Sequence, residues 1–259
     1  MHISIKRRLW PIKVLIKNIF HFIKNREKLN KIYSYKNKYS NQSCFIIGNG
    51  PSLNANDLEL IRNYKTFASN SIFKIFTETE WRPNFYGICD KKYYEENKKS
   101  ILENIHSPSF YPLDLNIQER KIDNFYLRQQ KFFIYKKPPF SSNADLLLFD
   151  GSTVTYMLIQ LAVYMGFKKI YLLGVDFSYS KVINTKGEIK TNNTVKDYFN
   201  EDRSENNSVT PNLEQSYLSY KSALNHAKRK GIKIINLSRK TDLNLFDRQN
   251  LDEMLISNK

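Results

Sequence analysis

The run Cys44-Phe45-Ile46-Ile47 offers no polar side chain to either face of a pleated strand. Strand side chains alternate between opposite faces, so such a segment needs an apolar layer both above and below it. Lys169-Ile170-Tyr171-Leu172-Leu173 reads the same way, and further strands are predicted over Lys65–Ala68, Phe85–Cys89 and Ile232–Leu237, with others around Phe110 and Phe132–Tyr135. Between them lie helical patterns: Asp57–Asn63, a short apolar helix at Ile72–Phe76, Lys91–Ile105, Ser152–Met165 and Leu213–Lys230. Ser152 is placed as the N-cap of the fourth, and Gly166 and Gly231 close the last two. Strands alternating with helices predict an α/β, Rossmann-like, mostly parallel sheet with helices on both faces.

At 259 residues this is one large domain with an appendage. The expected layout is a basic amphipathic arm and linker over 1–42, a nucleotide-sugar-binding catalytic domain over 43–240 and a C-terminal tail over 241–259. Two cysteines, Cys44 and Cys89, both in apolar runs, read as reduced buried thiols of a cytosolic protein. The net charge of +16 is concentrated: residues 1–40 hold eleven basic residues against Glu27 alone and so carry +10 of it. On a helical wheel Leu9, Ile12, Leu15, Ile16, Ile19, Phe22 and Ile23 share one face, with Lys6, Lys13, Lys17 and Lys24 on another. The apolar stretch falls short of the ~20 residues a bilayer requires and is broken by lysines, and it lacks a small-residue cleavage site. A cytoplasmic protein resting peripherally on the inner membrane face through residues 6–24 is the expectation; a helix packed on its own body or on an oligomer partner is the plainer alternative, and nucleic acid is not expected.

In an open α/β sheet, ligands bind beyond the carboxyl ends of the strands. Three segments there carry residues suited to something besides packing. In Gly48-Asn49-Gly50-Pro51-Ser52, two glycines let backbone N–H groups approach a ligand, while Asn49 and Ser52 add an amide and a hydroxyl. No Gly-Lys-Ser/Thr follows, so this is no P-loop. Asn70 and Asp90 end two further strands, and Gly174-Val175-Asp176 ends another, with Gly151-Ser152-Thr153 at a helix start suited to phosphate. Singly, each also serves as a plain turn or cap. The polar stretch 178–212 is long for a loop in a compact domain and reads either as a functional lid or as a disordered segment.

Together, Phe45–Leu53, Trp81-Arg82-Pro83, Asp90, Gly151-Ser152-Thr153-Val154 and Met165–Asp176 resemble one bacterial and archaeal family, the motility accessory factors and hydroxymethylpterin-diphosphokinase-like proteins. The layout is also similar to the bacterial family-42 sialyltransferases. The likeness is placed over residues 43–240, without the arm. It implies a glycosyltransferase that moves a nonulosonic (sialic-acid-like) or Kdo-like sugar from a CMP-activated donor to a bacterial surface glycan or glycolipid. By position it implies nucleotide contacts from Asn49, Gly50, Ser52, Asn70, Ser152 and Thr153, with Tyr179 on the phosphate; Gly48 and Gly151 complete the donor set. The sialyltransferases carry a His base in the lid, yet residues 177–212 contain no His. His226 is expected on the solvent side of its helix. Asp90 and Asp176 are therefore the candidate catalytic carboxylates, and no cofactor or metal is expected. Two rivals stand beside this: an ATP- and Mg-dependent pyrophosphokinase of the pterin type, with Asp90 and Asp176 holding the metal, and a non-catalytic protein that binds membrane surfaces or nucleic acid.

Overall fold

Strand β1 (Ser43–Ile47) feeds two cores at once: Cys44 and Ile46 enter one, Phe45 and Ile47 the other. The computed structural model describes residues 31–113, 115, 124–127, 129–130, 137–184, 188–191, 197, 199 and 211–257. From β1 the sheet grows one way through β2 (Lys65–Ser69), β3 (Phe85–Gly87), β4 (Ser109–Pro112) and β5 (Asn124–Leu127). Short strands β6 (Gln129–Gln130) and β7 (Leu148–Phe149) pair apart from it. The chain then returns to the other side of β1 with β8 (Lys169–Leu173). An antiparallel pair follows, β9 (Lys181–Ile183) and β10 (Ile189–Thr191), before β11 (Lys233–Asn236) and β12 (Asp247–Arg248) complete the sheet. Its order is β12-β11-β8-β1-β2-β3-β4-β5, and every neighbouring pair is parallel. The direction of growth reverses between β1 and β8, so the topological switch point lies there.

Among the described residues five α-helices follow in chain order: α1 (Ala55–Leu60), α2 (Lys91–Asn104), α3 (Val154–Tyr164), α4 (Leu213–Arg229) and α5 (Leu251–Ser257). Helices α1, α2 and α5 cover the core of Phe45 and Ile47, while α3 and α4 cover that of Cys44 and Ile46. Asn54, Asp90 and Asn212 cap α1, α2 and α4, each accepting from the backbone N–H three residues on. The α/β sheet with helices on both faces agrees with the sequence reading. The thiols agree as well: Cys44 is buried, Cys89 is half-buried, and no disulfide joins them.

Four expectations need correction. The segment 31–42 is no linker from Lys31 on. A 3-10 turn (Lys31–Tyr35) buries Ile32 and Tyr35, and Tyr35 meets Phe85, Phe110 and Phe125 edge-on. Backbone N–H groups of Asn37, Tyr39 and Asn41 then donate to the carbonyls of Tyr164, Met165 and Gly166. These carbonyls belong to the end of α3, which would otherwise lack acceptor partners. Residues 241–257 are not a tail either, since β12 extends the sheet and Leu243, Phe246, Leu251 and Met254 are buried. The polar stretch read as a lid or a disordered segment carries the β9–β10 pair.

The fourth correction concerns His226, which α4 turns into the core and not toward solvent. Ser216, Ser219, Ala223 and His226 are buried, whereas Tyr217 is 41% exposed. Small side chains let this helix come close to α3 and to the turn at Gly151. His226 therefore stacks on Phe140 with ring centroids 4.3 Å apart. The arm over 6–24 and the strand expected at Phe132–Tyr135 lie outside the described residues. No helix among the described residues is long and apolar enough to cross a membrane.

Burial, with Arg229 and Lys230 nearby, holds the His226 imidazole below its usual 6.5. In the unfolded chain the same ring takes a proton as pH falls below 6.5. Stability is therefore lost as pH drops through that value, and it is flat above it. Thermal melting across this range should show the decline, and His226→Phe should reduce it.

The carboxylate of Asp57, 0% exposed, accepts from Nε of Arg239 at 2.8 Å and from its NH2 group. This pair ties α1 to the segment after β11. Arg239→Ala is expected to cost about 1–2 kcal/mol in denaturant unfolding, discounted because the Arg side chain is half in water.

Candidate functional site

Helix α3 leads back into the start of β8, so its own first turn lies at the carboxyl edge of the sheet. The loops beyond β1, β2 and β8 share that edge. Glycine makes the closest approach possible at the switch point. A Cβ on Gly48 would stand 2.3 Å from the carbonyl oxygen of Gly174, and one on Gly50 would stand 2.5 Å from Asp176 Cγ. The backbone N–H of Gly48 donates to Leu173 O and that of Gly50 to Gly174 O, both at 2.8 Å.

Asp176, 5% exposed, seals this junction: one carboxylate oxygen accepts from the Ser52 N–H at 2.7 Å and the other from the Ser52 hydroxyl. Burial raises its pKa, opposed by the two Ser52 hydrogen bonds. The backbone behind it is held from residues 238–242, where the expected domain passes into the expected tail. Val175 N–H donates to Ser238 Oγ, the Thr241 hydroxyl donates to Val175 O, and Asp242 N–H donates to Asp176 O.

Asn49 faces the opposite way along the edge. Its Nδ2 donates to Ser69 O at 3.1 Å, which joins the first turn to the end of β2. Its Oδ1 is buried and has no partner among the described residues. A buried acceptor left unmatched costs about 1–3 kcal/mol, so a hydrogen-bond donor from outside would be well received there. Asn70 follows with φ +47°, and its carbonyl accepts from the Tyr86 hydroxyl.

The third segment is strained. Gly151 and Ser152 both take positive φ, +55° and +60°, so Thr153 rather than Ser152 becomes the N-cap of α3, without a side-chain cap bond. Phe177 also takes φ +58°. Such values are uncommon for Ser and Phe and cluster at functional sites. Helix α4 connects the two strained positions: Ser216 Oγ donates to Ser152 O, the Tyr220 hydroxyl lies 3.4 Å from Thr153 Oγ1, and the Tyr220 ring meets Phe177 edge-on at 5.9 Å.

Thus Gly48, Asn49, Gly50, Ser52 and Asp176 form one joined turn, Asn70 follows the Ser69 that Asn49 bonds, and Gly151, Ser152 and Thr153 reach the group through Tyr220 and Phe177. Tyr179 is half-buried just beyond. Asp90 stands a step away, capping α2 through Oδ1 to Tyr93 N–H, with the Tyr93 hydroxyl 2.6 Å from Ser71 Oγ. Sequence reading missed four contributors. Ser238 and Thr241 brace the Asp176 backbone. Asp197, 5% exposed, accepts from the N–H and hydroxyl of Ser180, and Phe199 N–H donates to Asn49 O at 3.1 Å, which brings lid residues onto the first turn. Nothing in an aperiodic polar stretch marks them. Among the described residues no group of three or more His, Cys, Asp or Glu side chains is placed to hold a metal ion.

The turn depends on Gly50 and Ser52 as fitted parts. Gly50→Ala should force Asp176 aside, at about 1–3 kcal/mol. Ser52→Ala, which leaves a buried carboxylate oxygen short of a donor, should cost a similar amount. Chemical denaturation of both variants would read these losses.

A family model described as 6-hydroxymethylpterin diphosphokinase MptE-like matches residues 14–182. It begins inside the segment set apart above as an arm and stops at the first strand of the β9–β10 pair. No curated protein matches this chain significantly. Among solved structures, the MAf glycosyltransferase from Magnetospirillum magneticum AMB-1 is similar at a TM-score of 0.51 and 17% identity. That likeness concerns the fold. It covers 88% of this chain and 38% of the other, so this chain spans well under half of that protein's length.

Proposed function

We propose that this chain, which belongs to the 6-hydroxymethylpterin diphosphokinase MptE-like family, is a glycosyltransferase that moves a nonulosonic or Kdo-like sugar from a CMP donor to a surface glycan or glycolipid. The observation that carries a ligand site is the unmatched, buried Oδ1 of Asn49 beside strained turns at the switch point. The choice of a CMP-sugar follows from the motif resemblance.

In this reading Asn49 accepts from the nucleotide, Gly48 and Gly50 bring backbone close to it, and Ser52 stays occupied in holding the turn. Gly151, Ser152 and Thr153, with the first N–H groups of α3 and the Tyr179 hydroxyl, face the donor phosphate; Asn70 lies between. The acceptor hydroxyl oxygen attacks the anomeric carbon, the bond from that carbon to the phosphate oxygen breaks, and CMP departs with the electron pair. Prearranged N–H and O–H donors lower the barrier by meeting the charge that develops on this one phosphate. The proton of the acceptor passes to Asp90, or to the departing phosphate. Asp176 positions the turn, because its two oxygens already serve Ser52. The reaction is expected to proceed without a metal. The protein would work peripherally at the cytoplasmic membrane face, through residues 6–24.

The family's description favours one rival, a diphosphokinase using ATP and Mg²⁺. Its Mg²⁺ would need one or two free carboxylates beside the substrate phosphates, and the two candidates fit poorly: Asp90 uses Oδ1 to cap a helix, and both oxygens of Asp176 are committed to Ser52.

Ligand-induced thermal shifts distinguish the two. CMP should raise the melting temperature of the full chain with EDTA present, and Asn49→Ala should weaken CMP binding roughly tenfold. A shift with ATP and Mg²⁺ but none with CMP sinks the transferase reading. Asp90→Asn should lower kcat more than it changes KM for the donor.

A further inference from the structure

The opposite, amino edge of the sheet has a character of its own. Three of its central strands begin with or follow a lysine: Lys65 opens β2, Lys169 opens β8 after Lys168, and Lys233 opens β11. Register places Lys233 beside Lys169, Lys169 beside Ser43, and Lys65 beside Cys44. The row therefore spans four adjacent strands, with Ser43 of β1 standing between Lys169 and Lys65. Among the described residues Lys65, Lys168, Lys169, Lys230 and Lys233 have no carboxylate partner.

Capping of helix ends accounts for part of this charge. Helices α3 and α4 both end at this edge, and Lys168 Nζ reaches Lys230 O at 3.5 Å. It does not account for Lys65, Lys169 and Lys233, which begin strands, where no comparable dipole exists.

A cleft of about 310 Å³ opens in the same edge, lined by Asn37, Ser40, Asn41, Lys168, His226 and Lys230. Its polar groups are amides, hydroxyls and two ammonium groups, a set that donates to anionic oxygens. The chain from the N-terminus also enters here. Tyr39 stacks on Phe167 at 5.0 Å, and the ammonium groups of Lys38 and Lys65 both lie near the Tyr39 ring. The segment that follows the basic amphipathic arm is thus seated on the basic edge itself.

We propose that the amino edge of the sheet is a docking face for an anionic bilayer, with the cleft at 37–41, 168 and 226–230 receiving a phosphate-bearing lipid headgroup. Arm and edge then act as two linked contacts, and their combined avidity exceeds either alone. This extends the peripheral-membrane part of the function above and is independent of the donor's identity. It also orients the molecule: the carboxyl edge, with Asn49 and Asp176, points away from the lipid by about one strand length, ~16 Å. The acceptor end of a growing glycan would be met there, above the headgroups.

Flotation of the full chain with vesicles tests this, comparing phosphatidylcholine alone with mixtures containing phosphatidylglycerol. One variant carries Lys65→Gln, Lys168→Gln, Lys169→Gln and Lys233→Gln; a second carries Lys6→Gln, Lys13→Gln, Lys17→Gln and Lys24→Gln. The body variant should bind phosphatidylglycerol vesicles about tenfold or more weakly, with melting temperature and nucleotide-induced shift kept. Binding equal to that of the unaltered chain overturns the inference, and a loss in the arm variant alone leaves only the arm reading standing. Loss of binding to a single-stranded oligonucleotide, with vesicle binding intact, also overturns it in favour of nucleic acid.

Discussion

Everything at the carboxyl edge depends on how closely β1 and β8 approach past their last sheet residues. Glycine at 48 and 174 removes the side chains that would hold the two turns apart, and a backbone hydrogen bond from Gly50 to Gly174 then closes the gap. Asp176 converts this contact into a fixed junction by accepting both donors of Ser52. An ionised carboxylate is costly to bury unless its lone pairs are used. Here the cost is offset by donors from the very turn the carboxylate positions. The result is a rigid floor from which Asn49 projects with its amide orientation fixed by Ser69.

Rigidity of this kind explains why strain is tolerated nearby. Ser152 and Phe177 hold left-handed backbone that an isolated turn would abandon. Tyr220, buried and edge-on to Phe177, and Ser216, bonded to Ser152 O, keep them in place from α4. That requirement in turn explains the composition of α4, whose buried face uses Ser216, Ser219 and Ala223 where an ordinary amphipathic helix would place larger apolar groups. Close approach, not maximal apolar burial, determines its rotation.

The same distinction governs what could be read from the sequence. Strands β1 and β8 were legible because a run apolar on both faces has few other fates, and the turns after them because Gly-Asn-Gly-Pro-Ser and Gly-Val-Asp are unusual as strand endings. Residues 31–42 were not, because their contribution lies in backbone N–H groups that complete the end of α3, and backbone donors leave no trace in residue pattern. His226 was misplaced for a related reason: the wheel weighs it as polar, while its ring stacks on Phe140 and is held neutral by burial beside two cations. Asp90 and Asp176 were found as residues yet misjudged as equals, since one caps a helix and the other locks a turn.

Under the two proposals, the edges of the sheet divide opposing electrostatic tasks along one set of strands. At the carboxyl edge, short polar groups and the start of α3 offer oriented donors within confined turns, suited to one phosphate held in a defined pose. At the amino edge, lysines on strand starts and helix ends spread positive charge over a wide surface around the cleft, suited to several phosphates at once. A parallel sheet makes this separation natural, because every strand starts at one edge and finishes at the other. In the proposed reading, charge that would gather the protein onto a surface is kept a strand's length from charge-sensitive groups that it would perturb, so that attachment and recognition could vary without disturbing each other.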